Sequence, residues 1–169
     1  IALPTHRLVK LPDDAAAAAA AAGAVAAPIA SLKENLNRLF HIEDVEPQGA
    51  NRTESVKAWL QILARRGRRR AAFGVYGVDR DHLYVLHPRR RARLPTLMPR
   101  ERSREWKSLD VSILHWLILR QMLGIDNPQK EAACLEYTRD GVEATEKVDA
   151  GDCQLAFLMN PIPVSRVLA

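Results

Sequence analysis

Apolar residues recur at helical spacing in several parts of the chain. The longest stripe predicts a helix over 110–123 that begins at Asp110. A second stripe predicts a helix over 53–67, and a capping box formed by Ser31 and Glu34 predicts a further helix start. The buried face of the longest helix is expected to comprise Val111, Leu114, Leu117, Ile118, Met122 and Leu123.

Other segments have the composition and length of strands. Residues 71–78 and 82–87 predict a β-hairpin, and apolar residues on both faces of the second strand predict that it is covered on both sides. Strands are also expected at 133–137 and 154–159, and a short helix at 142–150 is long enough for a right-handed parallel crossover between them. The predicted fold is therefore α/β (or α+β), with a mixed sheet, a β-hairpin, a βαβ unit and helices packed against the sheet.

The chain of 169 residues, of which 47% are hydrophobic, is expected to form a single incomplete domain, the C-terminal part of a longer protein. Residues 13–29 are rich in alanine and are read as a low-complexity linker, a marginal helix, or alanines that stand for unidentified side chains. No strongly apolar run is long enough to span a bilayer and no signal peptide is apparent, so we expect a soluble, cytoplasmic protein with no membrane partner. The two cysteines are expected to be reduced.

Positive charge is concentrated in one part of the chain. Residues 62–104 contain thirteen arginines and three acidic residues, with dense clusters at 65–70 and 89–93. Such a basic patch attracts phosphate and could hold nucleic acid electrostatically. Neither cluster contains interleaved aromatic residues, so a solvated surface that reflects the arginine bias of a GC-rich genome is favoured over a nucleic-acid reader.

Candidate chemistry lies at two places. Thr5, His6 and Arg7 place a hydroxyl, an imidazole and a guanidinium at the end of a predicted strand, where Arg7 could grip a phosphate and His6 could act as acid or base. His115 follows Asp110 by five residues, and the two could be a base and its orienting carboxylate. For all of these residues a structural role is the alternative, and for Asp110 it is that of a helix cap.

No spacing typical of metal ligands occurs among the five histidines, and no phosphate-binding glycine loop is present. We therefore predict no metal site, and the sequence does not identify a cofactor.

Four blocks, at 3–7, 72–76, 109–115 and 156–161, resemble a prokaryotic family of unknown function, domain-of-unknown-function family ten-fifteen. The resemblance is to the C-terminal half of that family, and it implies a missing N-terminal half of the same protein as a partner. Members have been likened to the ParB-like superfamily, which contains DNA-partitioning proteins and small-molecule kinases. The positions that match are Thr5, His6, Arg7, Asp110, His115, Asn160 and Pro161.

The leading functional hypothesis is an enzyme or binding protein for a small phosphorylated metabolite or nucleotide, of the phosphotransfer type. Its catalytic candidates are His6, His115 and Asp110, and its binding candidates are Thr5, Arg7 and Asn160. The alternative is a non-specific nucleic-acid-binding module that uses the Arg-rich strip 65–104. A third hypothesis is a structural half-domain whose functional site lies in the missing N-terminal part.

Overall fold

A computed structural model describes residues 5–11, 31–79 and 81–161. The predicted Ala-rich segment at 13–29 lies outside these residues. Within the described residues the strands form one six-stranded sheet, in which every neighbouring pair is antiparallel. The strands are β1 (His6–Val9), β2 (Phe40–Val45), β3 (Phe73–Tyr76), β4 (Leu83–Pro88), β5 (Leu135–Thr138) and β6 (Leu155–Met159). Their order across the sheet is β2-β4-β3-β6-β1-β5.

Helices connect and cover these strands. They are α1 (Leu32–Leu39), α2 (Arg52–Arg66), α3 (Arg104–Ser108), α4 (Asp110–Ile113), α5 (Pro128–Cys134) and α6 (Gly141–Asp149). Helix α4 continues directly into a π-helix, Leu114–Met122, and two 3₁₀ turns lie at Arg90–Ala92 and Leu94–Leu97. None of the helices in the described ranges is both long and apolar enough to cross a bilayer.

The sheet is buried on both faces. Helices α1 and α4 and the π-helix cover one face, where Leu114, Leu117 and Ile118 are fully buried as predicted. Helices α2 and α6 cover the other face and bury Trp59 and Ala144 against it. Because the side chains of a strand alternate between faces, consecutive residues of a central strand contribute to different cores.

The predicted fold class is confirmed: helices pack on a sheet that contains the expected hairpin of β3 and β4. The expectation of a mixed sheet was wrong, because every strand pair in the described residues is antiparallel. Residues Leu83–Leu86 of β4 are buried, so the strand is covered on both sides as expected. The predicted parallel crossover between β5 and β6 differs from the structure in one respect. Both β5 and β6 pair antiparallel with β1, which lies between them, so the two strands run parallel without bonding to each other.

Three local predictions differ from the structure. Strand 133–137 was predicted too early, because α5 begins at Pro128 and is capped by Asn127, whose side chain accepts a hydrogen bond from the Lys130 amide. Strand β2 was not predicted, because its sequence FHIEDV shows no clean alternation. Helix α1 forms, but Ser31 makes no side-chain capping bond to it.

Candidate anion-binding cleft

The candidate residues of β1 do not form one cluster. His6 and Arg7 are consecutive in the strand, so their side chains project to opposite faces of the sheet. The His6 ring lies on the side of α6, where its Nε2 is 3.5 Å from the position of a Cβ built on Gly141. The Arg7 guanidinium lies on the other side and contacts His115 of the π-helix. A single ligand therefore cannot be held by both side chains in this structure.

His6 is fully buried and supports the sheet. Its Nδ1 accepts a hydrogen bond of 3.0 Å from the amide of Met159, and its Nε2 has no hydrogen-bond partner among the described residues. Burial, reinforced by the charge of Arg7 and opposed by Asp140, lowers the pKa of His6 to about 4. The ring is therefore neutral at physiological pH, with its hydrogen on Nε2, and it links β1 to β6.

Arg7 is turned inward. Its Nε donates to Nε2 of His115 over 3.3 Å, an Nη donates to the carbonyl oxygen of Thr5, and the guanidinium carbon lies 5.4 Å from the ring centroid of Tyr137. Burial, followed by the charge of Arg7, lowers the pKa of His115 to about 4, so this histidine is a neutral acceptor. Thr5 contributes its backbone carbonyl to the group.

The remaining sequence candidates lie at helix ends, and Asp110 is not the helix cap that the sequence suggested. Asp110 is the first residue of α4, whose N-cap is Leu109, and the donor that the structure gives to His115 is Arg7. The Nδ2 group of Asn160 donates to the carbonyl oxygens of Leu63 at 2.8 Å and Ala72 at 3.3 Å. Asn160 thereby adds a second donor to the Leu63 carbonyl in the last turn of α2, which also accepts from the Gly67 amide.

A chain of cavities lies instead along the Arg-rich strip. The central cavity has a volume of about 630 Å³, and none of the described residues that line it is acidic. Its cationic lining consists of Arg69, Arg70, Arg89, Arg90, Arg93 and Lys107, and the rest consists of Ala71, Pro88, Leu94, Pro95, Ser108 and Ile113.

Two further cavities adjoin the central one. A cavity of about 590 Å³ shares Arg70, Pro88, Arg89 and Arg90 with it and adds His41 and Arg91. A cavity of about 560 Å³ shares Pro95 and Lys107 and adds Thr96, Met98, Arg100 and Arg104. We call the three together the basic cleft. Among the described residues, its lining contains nine arginine and lysine side chains and no carboxylate.

The segment after β4 positions these cations. Arg89 donates from Nε to the carbonyl oxygens of Asn37 at 2.8 Å and Phe40 at 3.0 Å, which ties the start of the segment to the junction of α1 and β2. Arg93, between the two 3₁₀ turns, has a left-handed backbone with φ of 48°. The indole of Trp116 donates to the carbonyl of Leu97 and holds the second turn. The cleft is thus formed by backbone that side chains fix in place.

The charge of the cleft is not balanced from within the fold. No ion pair found among residues 5–11, 31–79 and 81–161 involves any of the nine lining cations. The nearby Arg66 differs, because it makes a bidentate pair with Glu43 at 2.8 and 2.9 Å. An uncompensated group of cations around a concave surface concentrates positive potential and attracts anions.

Two histidines lie at one end of the cleft. His41, which lines it, and His87 are directly opposite each other on β2 and β4, with ring centroids 5.2 Å apart. Burial, then Arg70 and His41, lower the pKa of His87 to about 4, while Glu43 opposes the shift. Burial, reinforced by the positive surroundings of the cleft, therefore keeps His87 neutral at physiological pH.

One group of side chains could hold a divalent cation. Asp44, Asp79 and His82 offer ligand atoms within 4.8 Å of one another, and Nδ1 of His82 is 2.7 Å from Oδ1 of Asp44. The hydrogen bond to Asp44 raises the pKa of His82. The sequence did not predict this group because Asp44 reaches it only through the pairing of β2 with β4.

Comparison with known proteins adds no assignment: no family model, curated protein or solved structure matches the chain. The resemblance to domain-of-unknown-function family ten-fifteen stays a prediction from the sequence.

Proposed function

We propose that this protein binds nucleic acid through the phosphate backbone, using the basic cleft. The observation that carries the proposal is the lining of nine cations without a carboxylate. Phosphodiesters carry one charge per nucleotide, and neutralising them releases counterions, which supplies most of the affinity of non-specific binding. The DNA-partitioning proteins of the superfamily that the sequence resembles are compatible with such a ligand, by analogy alone.

The shape of the cleft favours a polymer over a single small metabolite. Its outer cavities each share lining residues with the central one, so the cations of the three cavities are adjacent and a chain of phosphates could contact several of them. The metabolite hypothesis relied on His6 and Arg7, but the first is fully buried and the second donates to His115 and Thr5. The structure therefore offers more support to the nucleic-acid alternative.

A nucleotide or another small phosphorylated molecule is the second candidate. The central cavity alone, at about 630 Å³, lies within the range of roughly 300–1,000 Å³ that ligand pockets occupy. Such a ligand would contact the same arginines, so a competition experiment between an oligonucleotide and a nucleoside triphosphate distinguishes the two candidates.

The test is a pair of double variants with the same change of charge. Arg69→Ala with Arg90→Ala removes two cations of the cleft, whereas Arg38→Ala with Arg139→Ala removes two exposed arginines outside it. Affinity for a fluorescent oligonucleotide is measured by anisotropy over a range of salt concentrations. We expect the cleft variant to lose roughly tenfold in affinity and to reduce the salt slope by about 2, and the control to change little.

Equal losses in both double variants would mean that net charge alone attracts the oligonucleotide, and the cleft would not be the site. Complete competition by a nucleoside triphosphate at a stoichiometry of one would favour the second candidate.

A further inference from the structure

We propose that the basic cleft binds nucleic acid as a single strand, with nucleobases seated on the apolar floor of its central cavity. This inference rests on the proposed function and names the form of the ligand. It follows from how the lining of the central cavity is divided between charged and apolar residues.

The floor and the rim of the central cavity differ in chemistry. Leu94, Ile113 and Ala71 close the bottom of the cavity and are almost fully buried in the core, and the apolar surface that is open to a ligand includes Pro88, which is half-buried, and Pro95, which is exposed. Arginines from two segments, 69–70 and 89–93, surround this floor, and Lys107 completes the rim. A ligand that fits both parts carries negative charge at its edge and a flat apolar surface at its centre.

Phosphate alone does not explain the floor. A polyanion without bases gains electrostatic attraction from the rim but leaves the apolar surface facing water. A nucleobase covers such a surface, and stacking or apolar contact of bases is the usual source of affinity in single-strand binding. Bases of a duplex are stacked inside the helix, and only phosphates and groove edges meet the protein. The cavity therefore fits bases that are not stacked within a duplex.

One arginine-covered tryptophan belongs to the segment that supplies Lys107 to the rim. The guanidinium carbon of Arg102 is 4.9 Å from the ring centroid of Trp106, which is the residue before Lys107. The ring of Trp106 is half-buried and packs on the same core as Leu94 and Ile113. The segment that supplies Lys107 thus also carries one flat side chain, which packs beneath Arg102 and is not among the described lining residues of the cavity.

The test compares three probes of equal length: an oligothymidylate, an abasic strand with the same phosphates, and a duplex of oligothymidylate with oligoadenylate. We expect the single strand to bind roughly tenfold more tightly than either of the others at the same salt concentration, because only its bases can reach the floor. Oligouridylate in place of oligothymidylate shows whether the strand is RNA or DNA, and either preference supports the proposal.

A cavity-filling variant separates the floor from the rim. Ser108 lines the cavity, is exposed and uncharged, and uses its hydroxyl only to donate to the carbonyl of Glu105 at 2.8 Å. Ser108→Phe should lower the affinity for oligothymidylate to that for the abasic strand and leave the abasic affinity unchanged. Gln129→Phe, on the exposed side of α5 and outside the cleft, is the matched control and should change neither.

Equal affinity of the wild-type protein for all three probes would overturn the inference and leave backbone binding intact. A preference for the duplex would also overturn it. If none of the probes binds, the proposed function itself fails. Thermal unfolding of the Ser108→Phe and Gln129→Phe proteins confirms that both retain the fold, and the three-probe comparison on the unmodified protein decides the question even if a variant does not.

Discussion

Arg7 and the arginines of the basic cleft carry the same charge in different surroundings. The guanidinium of Arg7 donates to His115 and to a backbone carbonyl and lies over Tyr137, and burial lowers its pKa from the usual value. Arg69 and Arg90 are exposed and line an open cavity in which no carboxylate takes part. Arg7 is therefore a structural cation, whereas Arg69 and Arg90 are free to contact a ligand.

The difference lies in where the hydrogen bonds of each guanidinium go. A buried guanidinium must have its donors satisfied inside the protein, and its neighbours are then fixed to receive them. An exposed guanidinium has water as its partner, which a phosphate can replace. Proximity of basic residues in the sequence therefore does not indicate a ligand site until the internal acceptors are known.

The largest expected effect tests the structural role of Arg7. Replacing Arg7 by alanine removes the donor to His115 and the contact with Tyr137, so we expect the free energy of unfolding to fall by about 2–3 kcal/mol. Arg69→Ala, in the cleft, should cost less than about 0.5 kcal/mol and weaken oligonucleotide binding. Urea denaturation and anisotropy measure both quantities. An oligonucleotide affinity that falls as much in Arg7→Ala as in Arg69→Ala would remove the distinction.

The next effect is a dependence of stability on pH that arises in the buried region. The pKa of His6 is about 4 in the folded protein and 6.5 without its burial, so the unfolded state takes up the proton first as pH falls. The stabilisation that neutral His6 gives to the folded state is therefore complete above about pH 6.5 and is lost as the pH falls toward about 4. From about pH 7 to about pH 5 we expect His6 to account for a loss of roughly 1–2 kcal/mol.

The His6→Gln protein isolates this contribution, because His87 and His115 titrate in the same direction and remain in both proteins. Its free energy of unfolding should fall less steeply with pH than that of the wild type. Identical slopes in urea titrations of the two proteins would show that His6 does not stay neutral on folding.

The smallest effect concerns the backbone of the cleft. Arg93 has a φ of 48°, a conformation that costs energy for a residue with a Cβ but not for glycine. Arg93→Gly should raise the free energy of unfolding by about 0.5 kcal/mol while lowering oligonucleotide affinity. Arg93→Ala removes the same charge but keeps the left-handed backbone strain. It should therefore lose the same oligonucleotide affinity without the rise in the free energy of unfolding. Equal stability of the two variants would mean that the turn relaxes around either residue.

Much of the architecture could be predicted from the sequence, because local patterns determine it. The stripe over 110–123 predicted buried Leu114 and Leu117, and these are buried in the structure. The change to a π-helix from Leu114 onward could not be predicted, since the apolar spacing is that of an α-helix and π-helices are rare. The position of β1 between β5 and β6 depends on pairing between distant segments and likewise has no local signal.

The candidate site was less predictable than the fold. The sequence showed the charge of the Arg-rich strip, but it could not show that segments 69–70, 89–93 and 107–108 converge on one cavity. It also placed Asn160 among binding residues, whereas its amide bonds the end of α2. Gly67 illustrates the same limit. Its φ is negative, and a Cβ at this position would displace the side-chain amide of Asn160.

The placement of β1 has a consequence for how the chain reaches its fold. During synthesis β1 is made long before β5 and β6, and the bond between His6 and Met159 spans 153 positions. Pairing at such separation forms slowly, because a long loop must close before the contact is gained. Until then, Leu8 and Val9 belong to an unpaired apolar strand. The free backbone groups of such a strand can pair with strands of other chains, which leads to aggregation. Aggregation of the nascent protein should therefore depend on the interval between synthesis of β1 and synthesis of β6, and slower translation of the intervening residues should increase it.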